Sequence, residues 1–218
     1  MGGLGASAYP LLVRRSYDRI AARYADHFSD ELAHKPFDRR FLDRLAAGIP
    51  ATGWTVDLGC GPSQIGGYLA SRGLHVLSVD LSEAMLRQAL VLRPEATCVQ
   101  ADMRALPLAR GSLAAIVAFY SLIHIPPPEI PATLTEIRRA LVPGGLLALA
   151  VHVGSEHVHS DEMLDEPVDV DFFFYQPAQV SRDLGEAGFS LQSLEERDPY
   201  PGGVEADTRR VYIVANRA

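Results

Sequence analysis

Three aspartates in this chain sit where an acidic side chain has no packing reason to be. Asp57 closes the apolar run that begins at Trp54, Asp80 ends the run Leu74 to Val79, and Asp102 follows Ala96 to Gln100. In an open parallel sheet, ligands bind outside the carboxyl ends of the strands, so each carboxylate is expected to meet ligand. After Asp57 comes Gly59-Cys60-Gly61, where missing side chains let the backbone turn tightly and a ligand approach closely. A helix can follow, with Pro62 tolerated in its first turn and Ser63 able to cap it. Strand, glycine loop and helix N-terminus together make a site for a nucleotide or nucleoside. Asp80 follows Gly61 by the roughly 20 residues at which a carboxylate reaches ribose hydroxyls, where it also repels a 2′-phosphate. Leu81 and Met85 are placed to flank a base, and Asp102 with Met103 to meet its exocyclic amine and other face. The loop continues Pro62-Ser63-Gln64-Ile65-Gly66, which misses the third glycine of a dinucleotide pyrophosphate fingerprint.

The elements that must position these residues are legible from hydrophobic period. Val13, Tyr17, Ile20, Tyr24 and Phe28 recur at helical spacing, and a second helix opens at Pro36 with Phe37, Phe41 and Leu45 on one face, stopping at Gly48 and Pro50. From Trp54 strands and helices alternate. Strands are expected at Trp54 to Asp57, Leu74 to Val79, Ala96 to Gln100, Leu113 to Phe119 and Leu146 to Val153. Helices carry Ile65 and Leu69, then Met85, Leu86 and Ala89 behind a Ser82 cap, then Ile130, Leu134, Ile137 and Leu141. Near-continuous apolar strands separated by helices mean a parallel sheet covered on both faces. His152 to Tyr175 loses periodicity and reads as a long connection of the kind that carries function. A helix from Pro177 to a Gly188 cap precedes two strands, Phe189 to Arg197 and Thr208 to Asn216, with no room between them for a crossover helix. They should therefore be antiparallel neighbours.

Five segments occur in order: Val56-Asp57-Leu58-Gly59-Cys60-Gly61, Val79-Asp80-Leu81-Ser82, Ala101-Asp102-Met103, Leu122-Ile123-His124-Ile125 and Leu141-Val142-Pro143-Gly144-Gly145. They resemble the motifs of class I S-adenosylmethionine-dependent methyltransferases, in particular the small-molecule branch that includes the ubiquinone/menaquinone-biosynthesis-like enzymes. Ser16 to Tyr24 is similar to that branch's first helix. The resemblance implies a Rossmann-like, doubly wound α/β sheet of seven strands in the order 3-2-1-4-5-7-6, with strand seven antiparallel and the N-terminal helices as a lid. It implies that Asp57 and the Gly59-Cys60-Gly61 loop hold the methionine part of the donor. Asp80 would hold the ribose, and Asp102 and Met103 the adenine. The backbone around Tyr120 and Ser121 would lie under the sulfonium. The chain is then one domain, with a helical cap over 1–50, a donor-binding core over 51–153, and a substrate-side segment with the closing strands over 154–218.

Other residues carry two readings. Cys60 is a small loop residue rather than a nucleophile, having no neighbouring base. Tyr17 and Tyr24 either pack a core face or form a lid with their phenols near the methyl donor. His124 begins the acceptor side, where packing competes with catalysis, and His152, at the end of strand five, is the first candidate for a general base. His157, His159, Asp161 and Glu162 match no zinc spacing and read as a solvated acidic loop, so no metal is expected. Phe172 and its neighbours either wall a substrate pocket or bury one face of an edge strand. Arg209 and Arg210 are expected at the surface.

Composition bounds the partners. Of 218 residues, 48% are hydrophobic and 22% charged, the balance of a soluble globular domain, and the net charge of −7 argues against a nucleic-acid polyanion. Two cysteines make no disulfide framework and suit a reducing compartment. Met1 to Ser7 shows neither a secretory nor a myristoylation pattern, and no apolar run reaches membrane-spanning length. The expectation is a cytoplasmic monomer or homodimer that transfers a methyl group from S-adenosylmethionine to a small-molecule acceptor, leaving S-adenosylhomocysteine. The competing reading is a protein of the same fold that binds S-adenosylmethionine or S-adenosylhomocysteine without methyl transfer, as a cyclase or sensor.

Overall fold

The computed structural model describes residues 9–218; the Met1 to Ser7 start lies outside the described residues. Helices α1 (Tyr9–Phe28) and α2 (Pro36–Gly48) lead into an alternating core. In order it runs β1 (Trp54–Leu58), α3 (Gln64–Ala70), β2 (His75–Asp80), α4 (Glu83–Leu92), β3 (Thr97–Gln100), β4 (Leu113–Phe119), α5 (Ile130–Ala140) and β5 (Leu141–His152). The chain then forms β6 (His157–Met163), β7 (Glu166–Phe173), α6 (Pro177–Glu186), β8 (Phe189–Arg197) and β9 (Arg210–Arg217). Seven strands make one sheet in the order β3-β2-β1-β4-β5-β9-β8. β9 runs antiparallel to both neighbours, and the remaining main-sheet pairs, among β1 to β5, are parallel. With β8 and β9 in the places of the sixth and seventh strands, this is the order that the family resemblance implies.

The apolar strands are sealed on both faces. Ile130, Leu134 and Ile137 of α5, with Val180 and Leu184 of α6, cover one side of β4, β5 and β9. Phe41, Leu42 and Leu45 of α2, with Ile65 and Leu69 of α3, cover the other. The start of α2 is also tied to the far edge of the sheet by polar groups. Asp38, 1% exposed, accepts hydrogen bonds from the Tyr212 hydroxyl at 2.7 Å and from Arg197 at 3.1 Å.

Four expectations need correction. The unperiodic stretch after His152 is not a loop. It is a two-stranded hairpin, β6–β7, turning through Leu164 and Asp165 at φ 55° and 59°. Its alternation escapes notice because β6 is mostly exposed, and only Val168 and Val170 of β7 are buried, against Ile20, Ala21 and Met85. β5 begins at Leu141, not Leu146. The Pro143-Gly144 turn is absorbed as an irregularity between the pairs Leu113–Leu141 and Ala115–Leu146. Ser63 does not cap α3. It sits at φ 62°, and its hydroxyl is 2.7 Å from that of Ser78. Arg210 is buried at 2% exposure, whereas the Arg209 side chain is 57% exposed. The Ser82 cap is present as expected, accepting from the Met85 N–H at 3.1 Å. Among the described residues no helix is long and apolar enough to cross a membrane.

Leu134 is fully buried on the face of α5 that covers the sheet. Leu134→Ala should lower unfolding free energy by about 2–5 kcal/mol, read as a shifted midpoint with unchanged slope in urea denaturation.

Candidate functional site

A cavity of about 380 Å³ runs along the carboxyl edge of the sheet, beneath α1 and the β6–β7 hairpin. Gly59 turns the chain out of β1 at φ +71°, and a Cβ added there would stand 2.2 Å from the Cβ of Ser121, which follows β4. Ser121 donates its hydroxyl to the Leu58 carbonyl at 2.7 Å, so the ends of β1 and β4 are locked together beneath the loop. Gly61, at φ +53°, is covered by the Tyr24 ring, with room for an ordinary contact of 3.7 Å at a Cβ. Cys60 keeps its thiol buried and bonded only to the Gly61 carbonyl, and burial pushes its pKa up, which removes it as a nucleophile.

The three aspartates hold this loop in different ways. Asp57, 2% exposed, accepts from the Gly66 N–H at 2.7 Å and so ties the start of α3 back to β1. Burial raises its pKa to about 7 against the pull of that hydrogen bond, with the nearby Asp80 charge adding to the rise. Asp80 accepts from the Gly61 N–H and the Ser82 N–H, both at 2.8 Å. Its pKa is raised to about 6, by burial first. Each of its oxygens retains a lone pair. Asp102 is gripped by Arg104, with nitrogen–oxygen distances down to 2.6 Å, and Arg104 also reaches Glu129 at 2.8 Å. Burial raises the Asp102 pKa, but the Arg104 pairing outweighs it and holds the group below the usual carboxylate value. Leu81, Met85 and Met103 also line this half of the cavity, Met85 from the buried face of α4.

Helix α1 closes the top. Tyr17 and Tyr24 stand edge to face with ring centroids 5.9 Å apart. The Tyr17 hydroxyl lies 2.7 Å from His124 Nε2, and His124 Nδ1 lies 2.8 Å from the Asp171 carbonyl of β7. Burial lowers the His124 pKa to about 4, so the ring is neutral. The helix is bound to the hairpin along its length, through Ser16 to Asp169, Arg19 to the Pro167 carbonyl and Arg23 to the Leu164 carbonyl. Asp18 reaches the other way, accepting from the Ser82 hydroxyl at 2.7 Å.

The other half of the cavity lies over the ends of β4, β5 and β9. Tyr120 adopts φ 52°, a strained conformation for a non-glycine residue, and its hydroxyl is 2.8 Å from that of Tyr212. His152 is held between the rings of Tyr120 and Phe174, at 5.3 and 5.2 Å, with Nδ1 2.8 Å from the Thr208 hydroxyl. Burial, then the Arg210 charge, lower its pKa to about 4. Lys35, Glu205 and Arg210 also line this half, all nearly fully buried. Glu205 sits 3.1 Å from Arg210 Nε and 3.8 Å from Lys35 Nζ, and pairs with Arg197 behind them. None of this cluster carries a sequence signal: Lys35 reads as an ordinary residue before a helix, and Glu205 as part of a turn. Phe172 lines the cavity and packs on His124 at 5.0 Å, so it walls the pocket. His157 and His159 instead face outward onto Asp171, at 2.8 and 3.0 Å.

Every residue expected at the site, from Tyr17 and Tyr24 through Ser121 to His124 and His152, therefore lines one cavity. An edge-bound cavity at the β1–β4 switch point, with acidic groups ending β1 and β2, is the site of a Rossmann-like nucleoside-binding enzyme. The family model described as "Methyltransferase domain" matches residues 55–145. A malonyl-[acyl-carrier protein] O-methyltransferase from Enterobacter lignolyticus (strain SCF1) is 32% identical over 178 residues, covering 79% of this chain and 69% of the relative. Among solved structures, the 1,6-didemethyltoxoflavin-N1-methyltransferase of Burkholderia thailandensis, with S-adenosylhomocysteine bound, superposes with a TM-score of 0.74 at 18% identity, covering 100% of this chain and 93% of that one. Magnesium protoporphyrin IX methyltransferase from Synechocystis, with S-adenosylmethionine bound, gives 0.73 at 17% identity, covering 99% and 100%. The chain belongs to the class I S-adenosylmethionine-dependent methyltransferases, of the small-molecule type. It is an enzyme that transfers a methyl group from S-adenosylmethionine to a small-molecule acceptor.

The raised carboxyls make stability depend on pH. Asp57 and Asp80 hold a proton more tightly folded than unfolded, where a carboxyl titrates at 3.8, so the stability they contribute is complete below that value and lost as pH rises through about 6 to 7. The melting temperature of the ligand-free protein, minus that of Asp57→Asn, should fall between about pH 4 and pH 7; a difference flat with pH would contradict the Asp57 environment. Gly59→Ala, which drives a Cβ into Ser121, should abolish measurable donor binding in calorimetry.

Proposed function

We propose that the half of the cavity over β1 to β3 holds the donor and the half over β4, β5 and β9 holds the acceptor, with the chain working as one domain. The observation that carries this reading is the division of the lining. Asp57 and Asp80, backed by open glycine backbone, suit a cationic amino-acid-bearing nucleoside, and Tyr120, His152, Lys35 and Arg210 form a separate polar chamber beyond them. The donor set fits chemically as well. Asp80 keeps lone pairs for two ribose hydroxyls, Leu81 and Met85 offer apolar faces to a base, and the Gly59-Cys60-Gly61 backbone leaves space beside Asp57 for the methionine part. Asp102, engaged by Arg104, presents its remaining lone pairs and the adjoining Met103 to the adenine.

S-adenosylmethionine supplies a methyl already activated by the sulfonium charge, so the protein's work is alignment and exclusion of water. Tyr17 and Tyr24 close over the donor half from α1. Tyr120 and Ser121 shape the floor at the junction of the two halves. His152, neutral at physiological pH and held by Thr208, receives the proton of an acceptor that must lose one. His124, with both ring nitrogens occupied, positions rather than catalyses. The acceptor carries a polar head against Lys35 and Arg210 and an apolar or aromatic body against Phe172. The unpaired thiols of Cys60 and Cys98 support a cytoplasmic location, and the acidic net charge supports a small molecule rather than nucleic acid as acceptor, with the chain a monomer or homodimer.

Thermal-shift assays should show stabilisation by S-adenosylhomocysteine and none by a nicotinamide dinucleotide; the reverse would overturn the donor assignment. Asp80→Ala should weaken donor binding by about 1.5–3 kcal/mol in calorimetry, the scale of hydrogen bonds to a charged group. With an acceptor found by labelled-methyl screening of metabolite extracts, His152→Ala should lower kcat and leave donor affinity unchanged; an unaltered rate would remove His152 as base.

A further inference from the structure

The hydrogen bonds around His124 decide more than the placement of its own ring. The Asp171 carbonyl can only accept, so His124 Nδ1, 2.8 Å away, carries the hydrogen. The ring is neutral, so Nε2 has a lone pair and no proton, and the Tyr17 hydroxyl 2.7 Å from it must be the donor. The phenol proton of Tyr17 is therefore committed away from the cavity, and the oxygen offers lone pairs alone to whatever else it meets. Three further contacts hold the arrangement. The His124 ring packs between Tyr17, at 5.2 Å, and Phe172, at 5.0 Å, and the Asp171 carbonyl also accepts from the Tyr9 hydroxyl of α1 at 3.3 Å. Tyr17 and Asp80 both line the donor half, so a second negative pole stands in the same half as the first; burial first, then the neighbouring Tyr24 and Asp80, raise the Tyr17 pKa.

We propose that His124 is a positioning residue that fixes Tyr17 as an obligate hydrogen-bond acceptor and negative dipole, and that this makes the site favour the cationic sulfonium of the donor over the neutral thioether of the product. The inference rests on the placement of the donor under α1 argued above. It assigns the β6–β7 hairpin a part in donor discrimination, because the hairpin supplies the carbonyl that selects the His124 tautomer. Without that carbonyl the ring can exchange tautomers, Tyr17 can turn its proton into the cavity, and the dipole reverses.

The test needs no acceptor. Calorimetric dissociation constants for S-adenosylmethionine and S-adenosylhomocysteine give a ratio for each variant. Tyr17→Phe and His124→Phe should each shift that ratio about fivefold toward the product, the scale of one hydrogen bond, and the double variant should shift it no further. His124→Gln, whose side-chain oxygen can accept from Tyr17, should keep the wild-type ratio. If His124→Phe does not fold, His124→Asn serves, since it can still donate to Asp171 but is too short to reach Tyr17. A ratio unchanged in His124→Phe or His124→Asn, or both affinities falling in step, would reduce His124 to a packing role and overturn the proposal. Wild-type protein that binds neither ligand would overturn the donor placement itself, and this inference with it.

Discussion

Gly59 and Ser121 pack so closely that no Cβ fits between them, and the cavity depends on that contact. β1 and β4 are adjacent parallel strands whose connections leave on opposite sides of the sheet, which opens a crevice at their carboxyl ends. The left-handed turn at Gly59 drops the loop into this crevice, and the Ser121 hydroxyl on the Leu58 carbonyl holds the two strand ends together. From that fixed point the loop reaches Asp80 through the Gly61 N–H, and the start of α3 reaches Asp57 through the Gly66 N–H. Both aspartates are consequently structural and cavity-lining at once, with backbone donors on one side and open lone pairs on the other.

The charge arrangement differs between the two ends of the cavity. Asp57 is buried and Asp80 half-buried, neither with an ion-pair partner of its own, and their raised pKa values express the cost. A cation placed against these two carboxylates would relieve that cost. At the other end, Lys35 pairs with Glu31 and Glu205, Arg210 with Glu205, and Arg197 with Glu205 and Asp38, so three cations meet three carboxylates and the charges are already balanced. Between the two ends stand neutral groups of fixed orientation: Tyr17, Tyr120, His124 and His152. Methyl transfer from a sulfonium neutralises a charge, and a junction lined by neutral, held groups suits a reaction that needs alignment more than proton traffic.

Much of the glycine-loop half of the cavity was legible in the sequence because it is local. An apolar strand, a glycine turn and an acidic strand end all lie within a few residues of one another, and the aspartates stand out against the hydrophobic pattern around them. The parallel sheet and the closing antiparallel pair likewise follow from period and connection length, while the strand order comes from the family resemblance. The β6–β7 hairpin was not legible. Its buried positions face α1 rather than the main core, so only one short face of one strand alternates. Arg210 was misread for a similar reason. An arginine pair at a strand start looks solvent-bound until β9 is paired with β5, which sets Arg210 opposite His152 and buries it against Glu205.

By itself, then, the sequence determined the sheet, the glycine loop and the acidic strand ends, because each is encoded in contiguous residues whose chemistry does not depend on distant neighbours. Tertiary structure alone decided the rest. Tyr17, His124 and Asp171 are separated by more than 40 residues at each step, yet form one hydrogen-bonded line. Lys35, Glu205 and Arg210 meet only after α2 and the β8–β9 connection have docked on the same edge. Which nitrogen of a histidine carries its proton, and whether a charge is paired, are properties of what surrounds the group, and those surroundings exist only once the chain has folded.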